Sequence, residues 1–274
     1  MNKPGPIGIF DSGYGGLTVF KEIIKELPQY NYIYLGDNAR IPYGTRSFET
    51  VYQYTWQCVQ AMFELGCPLV VLACNTASAK ALKSIQTINL PELSDNRRVL
   101  GVIRPTTERI GEFTKSRHVG ILATPGTVLS NSYEIEIKRF FPDIKVFQEA
   151  CPIWVSLVES NEINSSGAAY FVKKHIDQLL EKSPKIDTIL LACTHYPLLY
   201  PLIRKFTPPS IQILQQGEIV SKSLSKYLEH HQDIDQKLKK ESEILFYTTE
   251  SPEVFNEKAG LFFGQEVNST HLSL

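Results

Sequence analysis

Two cysteines in this 274-residue chain each follow an apolar run and open a short polar stretch, Leu72-Ala73-Cys74-Asn75-Thr76 and Leu191-Ala192-Cys193-Thr194-His195. A cysteine can serve as covalent nucleophile, as metal ligand, or as a Brønsted acid or base. One cysteine with His195 as its base would be enough for covalent catalysis. Two cysteines in matching settings suit a different task, the inversion of a carbon centre such as the α-carbon of an amino acid. A thiolate takes the proton from one face, a thiol returns one to the other, and the roles exchange in the reverse reaction. The free thiol pKa of about 8.5 leaves few thiolates at neutral pH, so each cysteine needs help. Asp11 and His195 are the candidate proton-handling neighbours.

The remaining cysteines read as packing. Cys58 lies on the apolar face of a helical pattern, and Cys67 and Cys151 each precede a proline with no polar turn around them. A structural zinc site wants paired C-x₂₋₄-C or H-x₃₋₅-H units, and none occurs, so no metal is expected. The run Gly13-Tyr14-Gly15-Gly16 invites a nucleotide reading, but the third glycine of G-x-G-x-x-G would fall at Thr18. No Schiff-base lysine motif is evident, and the expected chemistry needs no cofactor.

The elements that must carry these residues are short apolar runs alternating with helical patterns. Candidate strands are Ile7–Phe10, Tyr32–Leu35, Leu69–Ala73, Val99–Ile103, Val119–Ala123, Ile144–Phe147, Thr188–Ala192, Ile211–Leu214 and Ile244–Tyr247. Several are continuous apolar stretches, as expected of parallel strands covered on both faces. Val19, Phe20, Ile23, Ile24 and Leu27 mark a helix stopped by Pro28, and Ser47 is placed to cap a long helix closed by Gly66. Such alternation predicts an α/β fold with ligands at the carboxyl ends of the strands.

Four of those ends are polar: Asp11-Ser12-Gly13, Cys74-Asn75-Thr76, Thr124-Pro125-Gly126-Thr127 and Cys193-Thr194-His195. Their amides and hydroxyls would suit a carboxylate, although helix capping explains any single one of them as well. Cysteine is no favoured cap, which sets the two thiols apart. Ile7–Gly13 resembles Val119–Pro125, and Leu72–Thr76 resembles Leu191–His195 in the same order. The simplest reading is two related α/β halves facing each other across a cleft.

Composition is that of a globular enzyme: 43% hydrophobic, 21% charged, net charge −1. Lys and Arg are scattered, so no nucleic-acid partner is expected. The first residues lack a signal-peptide core, and no run approaches the roughly 18 apolar residues of a membrane span. A cytoplasmic location with reduced cysteines and no membrane partner is therefore expected.

In sum of these motifs the chain resembles bacterial glutamate racemases of the aspartate/glutamate racemase superfamily. The matching segments are Ile9-Phe10-Asp11-Ser12-Gly13-x-Gly15-Gly16-Leu17-Thr18, Gly36-Asp37-x-Ala39-Arg40-x-Pro42-Tyr43-Gly44, Ala73–Ala77, Gly120–Thr127 and Ala192-Cys193-Thr194-His195-Tyr196-Pro197. Thr248-Thr249 and Phe262-Phe263-Gly264 add a C-terminal match, so the likeness runs nearly the whole length. The Thr-His-Tyr-Pro after the second cysteine is similar to glutamate rather than aspartate racemases.

The resemblance implies that Cys74 and Cys193 are the catalytic pair, with Asp11 assisting the first and His195 and Glu159 the second. It implies substrate contacts at Asp11, Ser12, Pro42, Tyr43, Gly44, Asn75, Thr76, Thr124, Thr127, Thr194 and His195. It further implies two pseudo-symmetric α/β domains with mostly parallel central sheets and the active site between them. Residues 1–98 with 210–274 would form the first domain and 99–209 the second. Cofactor-independent interconversion of L- and D-glutamate, supply of D-glutamate for peptidoglycan, and a homodimer are likewise implied. Two positions depart from the pattern: Ser156 stands where proline is usual, and Leu214-Gln215-Gln216-Gly217 lacks the acidic residue expected there. Two other readings stay open here, a racemase of another acidic amino acid such as aspartate, and a non-catalytic amino-acid-binding clamshell.

Overall fold

The computed structural model describes residues 3–93 and 96–274. Its strands, in chain order, are β1 (Ile7–Asp11), β2 (Tyr32–Gly36), β3 (Leu69–Leu72), β4 (Arg98–Gly101), β5 (His118–Ala123), β6 (Lys145–Ala150), β7 (Thr188–Ala192), β8 (Gln212–Leu214), β9 (Ile244–Thr248) and β10 (Ser269–His271). β1, β2, β3 and β7 are buried along their whole length, because helices cover both faces of each sheet.

Two sheets result. One runs β10-β9-β2-β1-β3-β4 and the other β6-β5-β7-β8, with every ladder between named strands parallel. The order β2-β1-β3-β4 in the first sheet is repeated as β6-β5-β7-β8 in the second. Equivalent places therefore go to β1 and β5, and to β3 and β7, the very strands that lead into the repeated sequence segments. The C-terminal β9 and β10 return to the first sheet beside β2.

Sheet membership also locates the two crossings between the halves. Arg98–Gly101 pairs with β3 in the first sheet, and Gln212–Leu214 pairs with β7 in the second. The chain thus crosses after Gly101 and again at Gln215-Gln216, whereas the expected divisions at 98/99 and 209/210 would cut β4 and detach β8 from its sheet.

Local chemistry explains the helices that frame the cleft. In the helix Leu17–Glu26, Leu17, Val19, Phe20 and Ile23 are buried, and Pro28 prevents its continuation. Ser47 caps the helix Phe48–Glu64 by accepting from the Thr50 N–H at 3.1 Å. Gly66 ends that region with φ +89°, a backbone angle that favours glycine. The helix Gly217–His230, which starts at the second crossing, packs on Leu17–Glu26 and so returns the chain to the first half.

Candidate active site

All four polar strand ends point into the space between the sheets, at carboxyl ends, as parallel strands require. One cavity there is walled by Ser12, Pro42–Thr45, Cys74–Thr76 and Ile41 from the first half, and by Thr124, Pro125, Pro152, Val155, Ser156, Glu159 and Cys193–His195 from the second. Both cysteines face it. It measures about 40 Å³, where a single water needs roughly 10–15 Å³. A larger cavity of about 590 Å³ touches Cys193 and Thr194 from behind but reaches neither Cys74 nor the hydroxyls of Ser12, Thr76 and Thr124.

Cys74 sits at the N-cap of the short helix Asn75–Lys80, and its sulfur accepts from the Ala77 N–H at 3.4 Å. The expectation that cysteine would not cap a helix is corrected at this residue: the sulfur takes the place of the usual capping oxygen. The Cys74 thiol donates to Ser12 Oγ at 3.4 Å. Burial, followed by the nearby Asp11 carboxylate, pushes this thiol up to about 12, with the Ser12 and Ala77 hydrogen bonds working against the rise. Cys74 is thereby held as a thiol, the form that donates a proton.

Cys193 follows β7 directly, and its surroundings differ. His195 is 3% exposed, and its Nε2 lies 2.8 Å from Glu159 Oε1. Burial alone would lower the imidazole pKa, but hydrogen bonds to Cys193 and Glu159 and their charges outweigh it and push His195 up to about 10. The ring is thereby held in its protonated form beside Cys193.

Asp11 and Thr127 stand one layer behind the cavity wall, both fully buried. Asp11 Oδ2 accepts from the Gly13 N–H at 3.0 Å, and Oδ1 accepts from the Thr194 hydroxyl at 3.4 Å, so this carboxylate also bridges the halves. Its pKa is raised, chiefly by burial, with His195 the main opposing influence. Thr76 and Thr124 share a hydrogen bond at 2.9 Å across the cleft, backed by Thr127. Tyr43 lines the cavity, but its hydroxyl donates to Asp37, which also accepts from Arg40 Nε at 2.7 Å and the Thr249 hydroxyl at 2.9 Å. That anchor holds the Pro42–Gly44 loop in the first half. No lysine or arginine is among the described cavity-lining residues; its polar donors are the hydroxyls of Ser12, Thr76, Thr124 and Thr194, the Asn75 amide and the His195 ring.

Two thiols that face one cavity from related strand ends can act as a paired acid and base on a carbon acid. Over residues 7–219 the chain matches the family described as Asp/Glu/Hydantoin racemase. The chain belongs to this racemase family. A curated relative named glutamate racemase, from Bacillus cereus, is 39% identical over 270 residues, spanning 98% of this chain and 97% of that protein. The crystal structure of a glutamate racemase isoform from Bacillus anthracis is similar with TM-score 0.89 at 34% identity, covering 98% of both chains. That of a Francisella tularensis glutamate racemase in complex with D-glutamate gives 0.86 at 30% identity, again covering 98% of each.

Within this racemase fold the other cysteines are interior thiols. Cys58, Cys67 and Cys151 are unpaired and buried, and burial drives all three pKa values upward. Among the described residues no group of three His, Cys, Asp or Glu side chains is placed to hold a metal, and no helix is long and apolar enough to cross a membrane. Ser156 is accommodated in the helix Trp154–Glu159, which still delivers Glu159 to His195. Two contacts in the site, made by residues the sequence had marked for other reasons, had no local signal. Phe262 packs edge-on against His195 at 5.5 Å, and Gln216 hydrogen-bonds Asn75 at 2.8 Å.

Proposed function

We propose that this racemase interconverts L- and D-glutamate with Cys74 and Cys193 as opposed acid and base. The observation that carries the reading is the pair of thiols facing one cavity from two pseudo-symmetric strand ends, one beside Ser12 and the other beside a His195–Glu159 pair. Starting from L-glutamate, a Cys193 thiolate accepts the α-proton and the Cys74 thiol delivers one to the opposite face. The reverse direction begins with Cys74 as base. The carbanion's charge spreads into the α-carboxylate, where the hydroxyls of Ser12, Thr76, Thr124 and Thr194 and the Asn75 amide stabilise it. Before the next turnover from L-glutamate, Cys193 must release the proton it gained and Cys74 must regain one; the His195–Glu159 pair flanks Cys193 and Asp11 stands behind Cys74 to assist that exchange.

The small cavity adds a conformational step. About 40 Å³ cannot accommodate an amino acid, so the halves part to admit substrate. The contacts that must break across the mouth include the Gly126 N–H to the Gly44 carbonyl at 2.8 Å and the Thr76–Thr124 hydroxyl bond at 2.9 Å. Family likeness further supports a homodimer that supplies D-glutamate for peptidoglycan, and five unpaired thiols suit a reducing cytoplasm. The functional test is circular dichroism of L- and D-glutamate incubated with the metal-free protein and no added cofactor. Racemisation of glutamate well above aspartate supports the reading, and no turnover, or faster turnover of aspartate, overturns it.

A further inference from the structure

Gln216, at the second crossing between the halves, is 4% exposed and closes a ring of hydrogen bonds that ends beside Cys74. We propose that Gln216 is a positioning residue for racemisation, which fixes the amide of Asn75 so that an Asn75 N–H faces the substrate carboxylate. The proposal rests on the reading that the cavity between the cysteines takes glutamate.

The ring has only one consistent polarity. Gln216 Nε2 lies 2.8 Å from the Tyr133 hydroxyl, 3.0 Å from Thr106 Oγ1 and 3.3 Å from the Val102 carbonyl. A carbonyl can only accept, and the Thr106 hydroxyl already donates its proton to Val102 at 3.2 Å. The nitrogen of Gln216 must therefore face this group, which turns Oε1 toward Asn75. Asn75 answers with Nδ2 at 2.8 Å, while its Oδ1 accepts from the Tyr133 hydroxyl at 2.5 Å. Both ends of the Asn75 amide are thus specified by partners outside the cavity. Nδ2 uses one hydrogen on Gln216, and the second is left for the cavity that Asn75 lines.

Reversed, the same amide would turn its carbonyl oxygen toward a substrate carboxylate and repel it. The geometry also links place to function. Val102 follows the first crossing, Gln216 forms the second, Tyr133 belongs to the second half and Asn75 to the first. The ring therefore assembles fully only when the halves stand as they do around a closed cavity.

The test is steady-state kinetics of the full chain carrying Gln216→Glu or Tyr133→Phe, with L- and D-glutamate, alongside wild type and thermal melts. A carboxylate at 216 has no hydrogen for Val102, and it claims the Tyr133 hydroxyl proton, so Asn75 Oδ1 loses the donor that fixes the orientation of its amide. The expected result for Gln216→Glu is a KM raised about tenfold for both enantiomers, the size of one lost hydrogen bond to a charged group, with kcat within about threefold. Tyr133→Phe, a gentler change, should raise both KM values about threefold. A purely structural role would lower the melting temperature and the active fraction, cutting kcat with KM unmoved, and that outcome overturns the proposal. Should Gln216→Glu fail to fold, the Tyr133→Phe KM decides in the same way. An inactive wild type would sink the glutamate reading and this proposal together, whereas an active wild type with unmoved KM in the variants sinks this proposal alone.

Discussion

Nε2 of His195 lies 2.8 Å from Oε1 of Glu159, and this pair meets Cys193 on one wall of the cavity while the Cys74 sulfur on the other wall is hydrogen-bonded to Ser12 and Ala77. The asymmetry separates the two thiols chemically although their strands are related by the repeat. One thiol has a protonated imidazole beside it, and the other is a buried thiol pushed up to about 12.

Replacing Glu159 with Gln keeps the shape but removes a negative charge that holds the His195 proton. The imidazole pKa, now near 10, should fall, and the alkaline limb of kcat/KM should move to lower pH. Activity at neutral pH should drop about 10- to 100-fold, within the range general acid–base assistance contributes. A pH–rate profile of the variant checks this, and an unshifted alkaline limb would contradict it.

His195 also couples stability to pH. Its folded pKa of about 10 lies above the ordinary 6.5, so the protonated form is favoured by folding. The contribution is fully present below about pH 6.5 and is lost as pH rises through about 10. Melting temperatures of wild type and His195→Gln between pH 6 and 10.5 should therefore converge as pH rises. A constant gap would show that the His195 charge has no such role.

Serine in place of either cysteine should slow abstraction by that residue selectively. By family resemblance Cys74 deprotonates D-glutamate and Cys193 L-glutamate. Cys74→Ser should then show a primary deuterium isotope effect chiefly with α-deuterated D-glutamate, and Cys193→Ser chiefly with the L-isomer. The same profile for both variants would refute the facial assignment.

Gly15 presses against the opposite half. A Cβ there would stand 2.3 Å from Thr194 Oγ1 and 2.4 Å from His195 Nδ1. Gly15→Ala must push both away, at a cost of about 1–3 kcal/mol typical of overpacking. Thermal melts should show the destabilisation, and residual activity should fall further than the melt explains. Full activity would mean the contact is easily relieved.

The strands were legible because apolar β-rich runs buried on both faces have a simple signature. All nine expected strands form. The tenth, Ser269–His271, is a three-residue edge strand with one half-buried and two exposed residues and no apolar run to mark it. β4 stops at Gly101 rather than Ile103, since Val102 caps a helix that begins at Ile103. β6 runs on through Gln148 and Glu149 because it is an edge strand with partly exposed side chains. The cysteines stood out by position after repeated strands. Gln216 stood out only as a departure from the family pattern, since its partner Asn75 is 141 positions away and no local pattern encodes that meeting.

Early-stage proton NMR of L-glutamate racemising in D₂O tests the two-cysteine account most directly. With separate bases on the two faces, the D-glutamate formed should carry deuterium at Cα while recovered L-glutamate keeps its hydrogen, and starting from D-glutamate should give the mirror result. Deuterium entering substrate and product equally from the outset would show one base serving both faces and would contradict the account.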